Sequence, residues 1–342
     1  MIDLSCDYNI GCAPELLAAL TAANDDANAT YGFDRFSDTA RAKIRAAVEN
    51  PAADVYFLVG GTQTNATVLA ALLSPWEGVI AAESGHIAVH ESGAVEATGH
   101  KVLPLAPDRQ GRLLPETLRA FLAAFYADPT YPHMVQPGAV YLSQPTELGG
   151  LYTAQMLRAI RELCDAYGLR LFIDGARLAY ALAAPDTDVT LPLLGQLCDA
   201  FYIGGTKCGA LFGEAVVFRK AQKHFFPAHK QRGALLAKGF LLGLQFDALF
   251  TDDLYLRLGK QGTDCALRLR EGLEALGVAF SPESETNQQF PFFSAEQRKK
   301  LDGRVGYEVW QSFPDGSAVC RLCCSWHTKE EDVDAVLAAL KE

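Results

Sequence analysis

The chain has 342 residues, 49% of them hydrophobic and 21% charged, enough apolar material for one large domain and a smaller one and too much for a disordered chain. Thirty basic against 41 acidic side chains give a net charge of -11, which excludes nucleic acid and anionic membrane as expected partners. No run of 18 apolar residues marks a membrane span, and MIDLSCDYNI has no leader pattern, so a cytoplasmic protein is expected, its nine scattered cysteines read as free thiols.

In chain order, short β-rich runs alternate with helical runs from about residue 54. The first strand is expected at 55–59 (VYFLV), passing through Gly60, Gly61 and Thr62 into a helix over 64–73. Open amides at a helix start make an anion site, and glycine lets a phosphate approach the backbone. Neither G-x-x-x-x-G-K-[ST] nor G-x-G-x-x-G is present, so a single phosphate fits better than a nucleotide; an ordinary tight turn is the competing reading. A second strand at 79–82 leads into Glu83, Ser84, Gly85 and His86, where an imidazole can lie flat on a planar ring. His86 and His90 are four residues apart, yet the H-E-x-x-H glutamate is missing and no third ligand is near, so no metal is expected.

Further along come a strand at 101–105, a helix at 115–126, a strand at 139–143 and a helix at 153–167 that Gly168 should cap. The strand at 169–174 ends on Asp174, with Arg177 three residues later. A carboxylate at the C-terminal edge of a parallel strand points into the crevice where α/β proteins hold ligands, and there it needs a cation or a protonated ring nitrogen. A salt bridge to Arg177 is the plainer alternative. The strand at 200–203 runs into Gly204, Gly205, Thr206 and Lys207. Desolvation at the mouth of an apolar strand lowers a lysine's pKa, the condition for forming a Schiff base, whereas a lone loop lysine is ordinarily solvated. A strand at 215–218 completes seven. Strands alternating with helices in this way predict an α/β fold, a mostly parallel seven-stranded sheet with helices on both faces.

Beyond residue 250 the pattern changes to a long amphipathic helix at 254–276, a polar loop at 282–289, short strands and a terminal helix at 329–340. This predicts a smaller C-terminal α+β domain, with the division at 1–250 and 251–342. Within AVCRLCCSW, Arg321 offers a planar fork for a carboxylate, and the single C-x-x-C of Cys320 and Cys323 reads as buried thiols. A phosphate loop, an aspartate suited to a pyridinium nitrogen and a lysine suited to an imine, each at the end of a different strand, together describe a pyridoxal 5′-phosphate site.

The wording TYGFD, GGTQTN, ESGHIAVHESGA, FIDGARL, GGTK and CRL, spread over nearly the whole chain, resembles the threonine aldolases of the β-eliminating lyase family, in a bacterial low-specificity branch. The resemblance implies the aspartate aminotransferase fold (fold type I) and cleavage of a threonine- or allo-threonine-like amino acid to glycine and an aldehyde. β-Elimination, racemisation or transamination with the same cofactor is the alternative. It also implies that Lys207 joins the cofactor, His86 stacks on its ring and Asp174 pairs with its nitrogen. Gly61, Thr62 and Thr206 would hold the phosphate, Arg177 would lie near the phenolic oxygen and the substrate carboxylate, and Arg321 would grip that carboxylate. Members work as homodimers or homotetramers with sites at subunit interfaces, so Tyr31 is a candidate for a neighbour's site. Where members carry Ser-Asp near the N-terminus for the carboxylate, this chain has Cys6 before Asp7, with Ser5 one place earlier. Where many carry a histidine before a Gly-Gly pair, this chain reads Gln144-Pro145-Thr146-Glu147-Leu148-Gly149-Gly150. The acceptor of the β-hydroxyl proton is therefore open among His86, His90 and Glu147.

Overall fold

A computed structural model describes residues 1–342. The predicted strands form as β1 (Asp54–Leu58), β2 (Glu77–Ala82), β3 (Val102–Leu105), β4 (Gln136–Ser143), β5 (Arg170–Asp174), β6 (Ala200–Gly204) and β7 (Glu214–Phe218). They build one seven-stranded sheet in the order β3-β2-β4-β5-β6-β7-β1. β7 alone runs antiparallel to its neighbours β6 and β1, and the remaining four pairings are parallel. The link from β6 to β7 holds no helix. A parallel return needs a crossover of a dozen or more residues, so this short link forces the chain to double back.

The central strands are buried on both faces, and the two-residue period sorts their side chains into two cores. Val140, Leu142, Leu171, Ile173, Phe201 and Ile203 pack to one side. Tyr141, Phe172 and Tyr202 pack to the other, with Val79 and Val216. Asp174, two residues past Phe172, falls by parity on the second face and at the strand's C-terminal end. The register pairs Tyr141 with Phe172 and Phe172 with Ala200, so both tyrosines flank the aspartate on its own face. A one-residue slip would turn all three away.

The helix after β4 starts and stops where the sequence indicates, whereas the one after β1 begins three residues earlier than expected, at Gly61. Thr153 caps Ala154–Tyr167 by accepting from the Met156 amide at 3.2 Å, and Gly168 ends it at φ 70 in the left-handed region.

A further core gathers around the end of the helix Leu254–Ala275, the terminal helix Glu330–Lys341 and a small antiparallel sheet, in which Ala318–Cys323 pairs with Gln288–Gln289, Pro291–Phe293 and Glu308–Ser312. The N-terminal residues join this core, since Ile2–Asp3 pairs in parallel with Val305–Gly306 and Leu4 packs inside it. The stretch expected as a polar loop at 282–289 is different in character. Gln288–Gln289 is a short strand, and Ser284, Thr286, Asn287, Gln288 and Gln289 are all buried. Their amide nitrogens are answered internally: Gln289 Nε2 donates to the Thr286 carbonyl and Asn287 Nδ2 to the Cys324 carbonyl, while Asn287 Oδ1 and Gln289 Oε1 are buried without a partner. No helix is long and apolar enough to cross a membrane.

Candidate active site

The C-terminal ends of β1, β4, β5 and β6 meet the start of β7 along one edge of the sheet, and a cavity of about 460 Å³ opens there. Asp174 lies at its floor. Tyr141 donates its hydroxyl to Oδ2 at 2.6 Å, Tyr202 donates to Oδ1, Asn65 Nδ2 donates to Oδ2 at 3.0 Å and the Ala176 amide donates to Oδ1 at 2.9 Å. Burial pushes this carboxyl up, but the hydrogen bonds, led by the two tyrosines, outweigh it and hold the group below the usual carboxylate range. Gly175 is required beside it: a Cβ there would sit 1.9 Å from the Tyr202 carbonyl oxygen.

Asn65 also donates to Glu91 Oε1 at 2.8 Å, and that same oxygen lies 2.8 Å from His86 Nδ1. With a carboxylate as partner Nδ1 is the donor, which fixes the tautomer and leaves Nε2 free. His86 thus hangs from a buried chain of polar groups that ends on Asp174. The His86 amide donates to Glu147 Oε1 at 2.9 Å, and the Ser143 hydroxyl donates to the same oxygen at 2.7 Å. Burial is the main reason that the Glu147 carboxyl is raised.

Lys207 projects from the turn after β6, its Nζ 5.7 Å from the centre of the Tyr8 ring. Burial lowers its pKa and Arg177 adds to the effect, against the pull of Asp7, Asp174 and Glu214. Next to it the 12-residue helix Gly61–Leu72 begins with no side-chain cap on its first turn, so the Gly61 and Thr62 amides face the cavity unclaimed. Thr206 stands across from them, its Oγ1 accepting from the Gly213 amide at 3.0 Å.

Arg177 is already paired: Nε and Nη2 donate to the two oxygens of Asp7 at 2.6 and 3.0 Å. This replaces the sequence alternative of a bridge to Asp174. Asp7 also accepts from Asn287 at 2.8 Å. Burial alone would push the Asp7 carboxyl up, but Arg177 and then Lys207 hold it below the usual carboxylate range. Its contribution to stability is therefore full above that range and fades as the pH falls through the lowered folded-state value. Asp7→Ala leaves the Arg177 charge buried without its partner and should lower unfolding stability by about 3–5 kcal/mol at pH 7. Denaturant titration checks this, and a loss below about 1 kcal/mol would show that the pair is not structural.

Arg321 reaches the cavity from the strand Ala318–Cys323, ion-paired with Glu308 and with its guanidinium 5.4 Å from the centre of the Trp310 ring. Of the residues singled out from sequence, the structure brings Gly61, Thr62, His86, Asp174, Arg177, Thr206, Lys207 and Arg321 to this one cavity. Ser5 is not among them, because its hydroxyl turns back to Asp3 Oδ1 at 2.6 Å, and Asp7 and Tyr8 occupy the site side of that segment. Tyr31 lies in a separate groove beside Phe33 and Phe226, under the Lys230 ammonium at 4.4 Å. Sequence reasoning missed Asp7, Asn65, Tyr141, Tyr202, Glu214 and Glu308. Strand parity beside Asp174 could have found the tyrosines, and a charge opening the apolar run EAVVF could have found Glu214.

Known proteins share this arrangement of chain. The low specificity L-threonine aldolase of Pseudomonas aeruginosa is 33% identical over 332 residues, 96% of this chain and 93% of its own. A solved structure of Leishmania major threonine aldolase superposes with a TM-score of 0.95 at 40% identity, covering 100% of this chain and 99% of that one. A double mutant of Thermus thermophilus aspartate aminotransferase, 15% identical, covers 99% of this chain and 90% of its own at a TM-score of 0.69, which shows the shared aminotransferase fold. The profile of the β-eliminating lyases matches residues 3–296, and the chain belongs to that family.

Proposed function

We propose that this protein is a pyridoxal 5′-phosphate-dependent aldolase that cleaves β-hydroxy-α-amino acids of the threonine and allo-threonine type into glycine and an aldehyde. The observation that carries the reading is that Asp174 and Lys207 line one cavity, the carboxylate hydrogen-bonded by neutral donors that lower its pKa and the amine lowered in pKa by burial. The residues fit the cofactor on three counts. Uncapped amides at Gly61 and Thr62, with Thr206 opposite, suit a phosphate. Asp174, whose hydrogen-bond donors are all neutral, suits a protonated ring nitrogen. Lys207 suits an aldehyde.

Bound there, pyridoxal phosphate supplies the electron sink for the pair released when the Cα–Cβ bond breaks. Lys207 would hold its aldehyde carbon, and Asp174 would keep the ring nitrogen protonated. His86 would cover the ring, its orientation set by Glu91. Arg321 would take the substrate carboxylate in its planar fork, displacing Glu308, while Arg177, fixed by Asp7, would stand near the phenolic oxygen and that carboxylate. Of the candidate bases, Glu147 has the strongest support. Its Oε1 is anchored by two donors, leaving Oε2 to take the β-hydroxyl proton, and burial raises its pKa toward the working range of a general base. His90 is the weaker base because burial and His86 both lower its pKa.

The test is product analysis of purified protein with threonine isomers and phenylserine. Aldehyde with glycine is the expected outcome; ammonia with a keto acid would replace cleavage by elimination. Glu147→Gln should lower kcat roughly 10²- to 10⁴-fold with the yellow cofactor complex intact. An unchanged kcat would pass the role to His86 or His90.

We also assign the cofactor-binding lobe to about residues 1–250, with its first residues reaching across to the smaller lobe at 251–342. A cytosolic location is supported by nine free thiols. A homodimer or homotetramer is supported by the exposed groove of Tyr31, Phe33 and Phe226, and a monomer in sedimentation velocity would remove that assignment.

A further inference from the structure

Glu214 opens β7 on the wall that the cavity shares with Gly61, Thr62 and Lys207, and it is buried. Its register partners are Leu58 at the end of β1 and Gly204 at the end of β6, so it lies between the helix-start amides and the lysine turn. Its hydrogen-bond partners are the Gly205 amide, which donates to Oε2 at 3.0 Å, and the Thr206 hydroxyl. Neither is a cation. A carboxylate at the phosphate end of such a site is out of place unless it carries a proton, because ionised it sets a negative charge beside a dianion.

The donor count of Thr206 explains what a proton there does. Thr206 Oγ1 already accepts from the Gly213 amide. A neutral Glu214 can donate its own O–H to Oγ1, which leaves the threonine proton free to point into the cavity; an ionised Glu214 can only accept, and takes that proton for itself. We propose that Glu214 is a positioning residue for the cofactor's phosphate: as a neutral acid it turns the Thr206 hydroxyl toward that phosphate, and on ionising it weakens phosphate binding. This rests on the pyridoxal phosphate reading of the cavity.

The charged and titratable groups around Glu214 are Lys207 and Cys208 from the turn, Asp174 from β5, Tyr202 from β6 and Tyr255 from the helix Leu254–Ala275. Burial raises the carboxyl to about 8, with Lys207 pulling it down and Asp174 pushing it up. Below that value the neutral acid prevails; above it the charge appears.

The experiment titrates protein freed of cofactor with pyridoxal 5′-phosphate and, separately, with pyridoxal, following absorbance and tryptophan fluorescence at pH 7 and pH 9. Between the two pH values the native protein should lose about tenfold more affinity for the phosphate ester than E214Q does, as a group titrating near 8 and held neutral in the complex requires. With pyridoxal the two proteins should change in parallel. Equal pH dependence for the phosphate ester in both proteins overturns the proposal, and so does an equal extra loss with pyridoxal. Should E214Q not fold, the native protein decides alone: an extra tenfold loss confined to the phosphate ester supports the proposal, and equal losses with both probes overturn it. A native protein that binds no pyridoxal phosphate removes the cavity reading, and the proposal with it.

Discussion

Lys207→Ala should yield no borohydride-stable adduct with pyridoxal phosphate, and turnover should fall by at least about 10³-fold. Lys207 is the one lysine lining the cavity, and its amine is kept nucleophilic by burial and by Arg177. Truncation removes both the covalent anchor and the amine that can shuttle protons beside it. The fold should survive, because Lys207 opposes its own burial and its loss leaves no carboxylate that depended on it alone: Asp7 retains Arg177, and Asp174 retains its tyrosines. Reduction followed by peptide mapping reads the result. An adduct on another lysine in the variant, with turnover retained, would show that the reacting amine lies on a different strand.

Asp174→Asn should still bind cofactor, 10- to 100-fold more weakly, and lose roughly 10²- to 10³-fold in kcat. The amide keeps one acceptor oxygen but puts an NH2 group in place of the other, facing either the Tyr141 hydroxyl and the Asn65 amide or the Tyr202 hydroxyl and the Ala176 amide, all of them donors. It also removes the charge that would keep a ring nitrogen protonated, a charge-assisted contact of about 1.5–3 kcal/mol. Cofactor titration, kcat and circular dichroism separate these effects. Near-normal turnover in a folded variant would remove the pyridinium role.

The reading of the fold from sequence succeeded where local rules decide. The seven sheet strands are short, mostly apolar runs, several of them closed by Gly, Ser or Asp, and the helix end at Gly168 needs a left-handed residue that glycine supplies. The site residues that could be read are those at strand ends, because parallel topology brings such ends together whatever the loops do. What could not be read depends on distant partners. Nothing in SCDYN marks Asp7 over Ser5 as the residue that meets Arg177, 170 positions away. The run SETNQQ has the composition of a surface loop, yet it is buried, because the carbonyls and the Asp7 carboxylate that satisfy it come from other segments. Similarly, Asn65 and Glu91 look unremarkable in isolation and acquire a role only when the helix after β1 is laid against the segment after β2.

The contacts of residues 2–7 with the far end of the chain bear on how the enzyme is made. Leu4 offers its carbonyl to the Cys323 amide, Ile2–Asp3 pairs with Val305–Gly306, and Asp7 is held by Asn287. During translation the first residues leave the ribosome long before these partners exist. The nascent sheet can therefore assemble while Arg177 still lacks a fixed anchor, and catalytic competence arrives only when residues 287–323 emerge to capture residues 2–7.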